Sequence, residues 1–384
     1  MTNWKEWLLT AALCLPATPH AAAPPQSSAS GRYARLADAK LYYEECGASG
    51  RINVVLLHDG LLHSVTWDDV WVPLCAKYHV LRFDRRNYGR SDPAKAPFSP
   101  EDDLLAMVRA AKMDRAILVG NSSGSGLALD FALAHPEMTE GLLLIGPVVH
   151  GMASSAYFVE RGNRASAPLS KGDVQAAAEN WSRDRFLVSG DAAAVRKKVR
   201  DVLVQNPQNL KIGGQLETRP SPPTVLRLSQ IQAPTLVLVG ESDIADVIAY
   251  AGAIEAALPI AFFEVWKDAG HLIQLEHPQE LVQRFERFAR VADRKEAAVS
   301  ADTLHDYVGQ YKFFNRTIGI SLRDNRLRLA LPDTPEKWLF AASATRFFVR
   351  STETEFEFER DAKGAVGQMT IHNADGNTIN CPRV

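Results

Sequence analysis

The sequence has little cysteine, four residues in 384, and no Cys-x-x-Cys pair among them. Without that spacing no zinc site is expected. It has no excess of positive charge: 43 lysines and arginines face 45 aspartates and glutamates, for a formal net charge of −2. A surface built to hold nucleic acid would show a basic surplus, so no nucleic-acid partner is expected. No run is both long and uncharged enough to span a bilayer, which takes about 20 apolar residues. What is present is ordinary for a globular chain: 46% hydrophobic and 23% charged residues. The length points to two domains, or to one large domain with an attachment.

The first residues differ from the rest. Lys5 precedes a short apolar run from Trp7 to Leu15, then Pro16 and a small-residue stretch around Ala21, Ala22 and Ala23. This is the pattern of a secretory signal peptide over residues 1–23. It implies a secreted or periplasmic protein; the alternative is an uncleaved tail on a cytoplasmic one. Removing the segment leaves Cys46, Cys75 and Cys381, an odd number, so at least one thiol lacks an intramolecular partner. Whether Cys46 and Cys75 pair is left open by the sequence.

Beyond a flexible lead-in at 24–31, two strands are expected at 33–36 and 41–45. The run 52–57 is continuous leucine and β-branched residues, as in a strand covered on both faces, and ends in His58-Asp59-Gly60. A helix over 67–78 and a strand over 80–83 follow, the latter ending in Asp84-Arg85-Arg86-Asn87-Tyr88-Gly89-Arg90-Ser91. After a helix from about Pro100 come strands at 116–119 and 142–145 with a helix between them. This alternation is the signature of a mostly parallel α/β sheet. It breaks from about 148 to 230, where apolar spacing is helical, a cap-like insertion, and resumes with strands at 235–239 and 262–266 and helices at 247–257 and 281–291.

Residues 292–301 are charged and alanine-rich, a linker. From 302 to 384 strand-like pieces recur at short, even intervals: 311–314, 318–322, 327–331, 338–341, 346–350, 355–359, 367–372 and 378–381. Such spacing predicts a small all-β sandwich or barrel.

The chemistry centres on Gly120-Asn121-Ser122-Ser123-Gly124, set between the 116–119 strand and a helix. Strand, Gly-x-Ser-x-Gly, helix is a nucleophile elbow. Only Ser122 has glycine two residues before and two after it. A serine hydroxyl needs a base, and the base an orienting acid. In elbow enzymes these follow in the order serine, acid, histidine, each past a strand end. The acid is then Asp243, after the 235–239 strand, with Asp246 as the alternative. The histidine is His271, in Gly270-His271 after the 262–266 strand. Two backbone N–H groups should face the developing oxyanion: that of Ser123, and that of Gly60, with Leu61 as the alternative. No metal or organic cofactor is required.

On these motifs residues 33–291 resemble the α/β-hydrolase superfamily, in its esterase/lactonase-like branch with a helical cap over about 148–230. The likeness is carried by His58-Asp59-Gly60, Asp84-x-Arg86-x-x-Gly89-x-Ser91, the Ser122 elbow, Gly240-x-x-Asp243 and Gly270-His271. Three positions depart from that family: Asp59 and Asn87 stand where glycine is usual, and Ser125 replaces a glycine of the elbow helix. Residues 302–384 are similar to the small β domain behind the catalytic domain of some penicillin-binding-protein-type serine hydrolases, through Tyr307-Val308-Gly309-x-Tyr311. The resemblance implies a serine hydrolase for a small-molecule carboxylic ester or lactone. Peptidase, thioesterase and acyltransferase chemistry on the same triad stay open, as does a non-catalytic ligand binder on the same scaffold. Oligomeric state is not indicated.

Overall fold

The structure is a computed structural model and describes residues 31–190, 192–211, 216–332, 334, 336–350 and 352–384. The expected signal peptide at 1–23 lies outside the described residues.

The leucine and β-branched runs become the interior of one eight-stranded sheet. Its strands are β1 (Arg32–Arg35), β2 (Lys40–Cys46), β3 (Asn53–Leu57), β4 (His79–Phe83), β5 (Ala116–Asn121), β6 (Thr139–Ile145), β7 (Thr235–Gly240) and β8 (Ala261–Trp266). The order is β1-β2-β4-β3-β5-β6-β7-β8. β1, β2 and β4 pair antiparallel, and the remaining pairs are parallel. All residues of β4, β5 and β7 are buried, because helices cover both faces.

On one face lie α1 (Asp68–Lys77) and, from the end of the domain, α9 (Pro278–Ala292), whose Leu281, Phe285, Phe288 and Ala292 stripe is buried on the sheet. The other face carries α2 (Pro100–Ala110), α3 (Ser123–Ala134) and α7 (Ala245–Ala257). Cys46, at the end of β2, is disulfide-bonded to Cys75 on α1, with their Cα atoms 5.4 Å apart. Cys381 is buried and free, its thiol pushed up to about 11 by burial.

Between β6 and β7 the chain builds the cap: α4 (Ala156–Ser166), α5 (Val174–Ser182) and α6 (Ala193–Gln205), with an apolar centre of its own around Ala177, Ala178, Val199 and Leu203. The two stalks of the cap run side by side, the Val225 N–H donating to the His150 carbonyl at 3.0 Å. Both are held by Asp130 of α3, whose carboxylate takes the Thr224 hydroxyl on one oxygen and His150 Nδ1 on the other. A four-residue helix, α8 (Ile273–Glu276), follows the His271 loop.

The C-terminal part opens with α10 (Ala301–Tyr307), a short helix not expected from the sequence, capped by the Ser300 hydroxyl. Among the described residues nine strands follow: β9 (Gly309–Phe313), β10 (Arg316–Arg323), β11 (Arg326–Ala330), β12 (Lys337–Trp338), β13 (Phe340–Ala341), β14 (Arg346–Phe348), β15 (Glu355–Arg360), β16 (Val366–His372) and β17 (Thr378–Pro382). They form two antiparallel sheets, β12-β11-β10-β9 and β13-β14-β15-β16-β17. The stretch 338–341, expected as one strand, is two: the chain changes sheet at the buried Leu339, so β12 pairs with β11 and β13 with β14. Between the sheets Tyr307 stacks on Phe358 with ring centroids 4.2 Å apart, and Tyr311 and Phe347 meet the same ring edge-on.

This β domain seats against the base of β8. Ile260 is buried with Phe340 and Phe348. The Lys337 ammonium donates to the Ala261 carbonyl at 2.5 Å and to Glu255 at 3.1 Å. A strand rises about 3.3 Å per residue, so the six residues of β8 separate this seat from the carboxyl end of the sheet, where the site lies.

Candidate active site

Every candidate residue sits where a parallel strand ends and its chain turns. Ser122 follows β5 directly and has φ 55° and ψ −117°, a conformation that side-chain-bearing residues rarely adopt. The turn is held by close approach of backbones. A Cβ on Gly120 would stand 2.5 Å from the Gly124 carbonyl oxygen, and one on Gly124 would stand 2.2 Å from that of Leu57. Both glycines are therefore steric requirements of the turn that lifts Ser122 off the sheet.

Asp243 lies past β7 and is buried. Its Oδ2 is 2.9 Å from His271 Nδ1, and its Oδ1 accepts the Ile244 N–H at 2.7 Å. The imidazole is thus oriented with Nε2 outward. Two contacts place this pair beside the elbow. The Ser122 N–H donates to the Ile145 carbonyl at 2.9 Å, and at the next residue, Gly146, a Cβ would stand only 2.6 Å from His271 Nδ1. Asn121 Nδ2, from within the elbow, donates to the His271 carbonyl at 3.0 Å. Burial alone would lower the His271 pKa, but the charge and hydrogen bond of Asp243 outweigh it, and the net shift is upward. Asp246, the alternative acid, is turned elsewhere: its carboxylate takes the N–H and hydroxyl of Ser155 at the start of α4.

The loop after β3 is set by three side chains. His58 is fully buried and its pKa is well below the ordinary value, through burial first and the Arg85 charge second. As the neutral ring, Nε2 accepts the Arg85 N–H at 2.9 Å and Nδ1 donates to the Asp59 carbonyl at 2.7 Å. Arg85 adds a second hydrogen bond to that carbonyl, at 3.0 Å, and one to Ser123 Oγ at 2.7 Å. In a trans peptide C=O and N–H point opposite ways. Drawing the Asp59 carbonyl back therefore turns the Gly60 N–H away from His58 and Arg85. The Leu61 N–H is already used: it donates to Asp59 Oδ1 at 2.7 Å, as does that of Leu62. Of the two candidates in this loop, the geometry leaves Gly60. Ser123 begins α3, where the first N–H groups have no helical partner.

The departures from the family pattern have local explanations. Asp59 caps the N–H groups of Leu61 and Leu62, although its Oδ2 is buried without a partner among the described residues. Asn87 has φ 78°, a left-handed turn that asparagine tolerates. Ser125 spends its hydroxyl on the Gly120 and Ile145 carbonyls, at 2.7 and 3.2 Å.

Several residues here carry no motif of their own. Gln274 bridges Thr66 and Asn121 behind the elbow, at 2.8 and 3.1 Å, and Arg85 ties the β3 loop to Ser123. The signal available for Arg85 was only its place beside Asp84. Among the described residues no group of three His, Cys, Asp or Glu side chains is arranged to hold a metal ion, and no helix is long and apolar enough to cross a membrane.

Comparison with known proteins agrees with this architecture. Residues 54–284 match the model of the alpha/beta hydrolase family, and residues 293–381 match a domain of unknown function (DUF3471). A 2-hydroxy-6-oxononadienedioate/2-hydroxy-6-oxononatrienedioate hydrolase of Pseudomonas putida is 25% identical over 271 residues, covering 66% of this chain and 93% of the relative. The pimeloyl-[acyl-carrier protein] methyl ester esterase of Aliivibrio salmonicida is 24% identical over 269 residues, covering 66% and 97%. Among solved structures, an N-acyl homoserine lactone degrading enzyme, Est816, superposes with a TM-score of 0.55 at 26% identity, over 66% of this chain and 99% of that one. An esterase from Thermogutta terrifontis superposes at 0.58 with 22% identity, over 69% and 100%, a likeness of fold.

Proposed function

The chain belongs to the alpha/beta hydrolase family and is a hydrolase acting on ester bonds, and we propose that it cleaves a small carboxylic ester or lactone through an acyl-enzyme on Ser122. The observation that carries this reading is the His271–Asp243 hydrogen bond of 2.9 Å, seated against the elbow that presents Ser122. His271 takes the serine proton as Ser122 Oγ attacks the carbonyl carbon. Asp243 holds the ring in the tautomer with Nε2 free and offsets the charge it gains. The N–H groups of Gly60 and Ser123 receive the oxyanion. Collapse of the tetrahedral intermediate expels the alcohol, which His271 protonates. Water, deprotonated by His271, then releases the acid. The kinship with an esterase and with a lactone-degrading enzyme supports an ester or lactone carbonyl as the target.

The test is Ser122→Ala on a panel of activated esters and lactones, with fluorophosphonate labelling of the wild type. Loss of turnover in a folded variant, and a label on Ser122, are expected. Wild-type turnover by the variant overturns the assignment.

Export from the cytoplasm is part of the proposal. The N-terminal pattern suggests it, and the Cys46–Cys75 disulfide supports it, since such bonds persist mainly in oxidising compartments. For the β domain we propose kinship with the domain behind penicillin-binding-protein-type hydrolases, suggested by the Tyr307-Val308-Gly309-x-Tyr311 motif, and a stabilising role, supported by its seat at the base of β8, remote from the site.

A further inference from the structure

One edge of the cap is fastened to the catalytic loops rather than resting on them. Residues 186–189 lie against the segment that carries His271. The His271 N–H donates to the carbonyls of Phe186 and Leu187, at 2.9 and 3.1 Å, and the Leu272 N–H to that of Leu187 at 3.2 Å. Ser189 Oγ meets Ser242 Oγ, beside the acid, at 3.2 Å. A Cβ on Gly270 would stand 3.0 Å from three backbone atoms of this strap.

The strap is itself rigid. Asp184 Oδ1 takes the N–H groups of Phe186 and Leu187, at 2.9 and 3.0 Å. Arg196 of α6 donates to the carbonyls of Ser182, Val188 and Gly190, at 2.8, 2.6 and 2.9 Å.

One side chain joins the two parts. Glu276, at the end of α8, accepts the Ser189 N–H on Oε1 at 2.6 Å and the Gly270 N–H on Oε2 at 2.8 Å. One oxygen holds the strap and the other holds the residue before His271. Asp243 fixes only one ring nitrogen, whereas catalysis needs the whole imidazole placed, and an error of about 1 Å can cost about 100-fold in rate.

We propose that Glu276 is a positioning residue for His271, clamping its loop to residues 186–189 so that the cap takes part in placing the general base. The inference rests on the reading of His271 as that base. A carboxylate is required because both partners are donors. An amide of the same shape accepts one N–H and turns its own NH₂ on the other.

The experiment compares wild type with Glu276→Gln and Glu276→Ala. Three quantities are measured: kcat and KM on a p-nitrophenyl ester, melting temperature, and the low-field proton resonance of the His271–Asp243 hydrogen bond, assigned by its loss in Asp243→Ala. Glu276→Gln preserves volume and is expected to fold. Its kcat should fall about tenfold and that of Glu276→Ala about 100-fold, with KM little changed. The low-field resonance should shift or broaden in both. A folded Glu276→Gln with wild-type kcat and an unmoved resonance overturns the proposal. The resonance reads the placement of His271 whether or not the ester is a substrate, so this failure is distinct from failure of the serine-hydrolase reading, which the Ser122→Ala assay decides.

Discussion

Gly60 and Ser123 face each other across the candidate oxyanion site: a Cβ built on Gly60 would lie 3.1 Å from Ser123 Oγ. That hydroxyl cannot swing away freely, because it accepts a hydrogen bond from Arg85 at 2.7 Å. Gly60→Ala should therefore displace one of the two proposed donors and lower kcat by about tenfold, short of the 10²–10³ for losing a donor outright. Adding Ser123→Ala frees the space and should restore part of the rate. Steady-state kinetics of the single and double variants checks this. Equal rates in the two refute the steric cause.

The pH dependence should follow His271. The base works when neutral, so kcat/KM is expected to fall as pH drops through a pKa above the ordinary imidazole value. Asp243→Asn removes the charge that raises it and leaves the burial that lowers it. The acid limb should then move to lower pH, with kcat down about 10⁴-fold. An acid limb that stays put in that variant would break the link to Asp243.

Reducing the Cys46–Cys75 bridge should cost stability and leave the chemistry intact. It closes a chain separation of 29 residues, between β2 and α1. Constraint of the unfolded chain predicts a loss of about 3.6 kcal/mol. Denaturant unfolding of Cys46→Ser/Cys75→Ser measures it, with kcat/KM at 25 °C expected to be unchanged.

Ending the chain after Ala298 should lower the melting temperature and spare the site. Ile260 would lose its cover of Phe340 and Phe348, and the Ala261 carbonyl its Lys337 donor. Calorimetry with kcat/KM per folded molecule decides the matter. A large fall in kcat/KM would give the β domain a part in catalysis.

Much of the sheet was legible because its central strands β3, β5, β6 and β7 are rich in consecutive apolar residues, and the candidate site because its residues lie in the turns just past strand ends. Asp243 and His271 are candidates by chain order alone, and the structure places them 2.9 Å apart. What the sequence hid depends on approach in space. Glu276 looks like one more charge near a helix start. The choice of Gly60 over Leu61 turned on where the Asp59 carboxylate points. The pairing of Cys46 with Cys75 needed β2 and α1 to be placed, and the split of 338–341 needed knowledge of which sheet each half joins.

The two stalks of the cap leave the core side by side and are gathered on the single carboxylate of Asp130. An insertion with adjoining ends occupies one address in the fold, and new helices could be grafted there without redrawing the sheet. The opposite edge sets the terms of such an exchange. On the proposed role of Glu276, a replacement cap would inherit the bracing of the histidine loop, and substrate range and turnover would change together unless residues 186–189 travelled with the core.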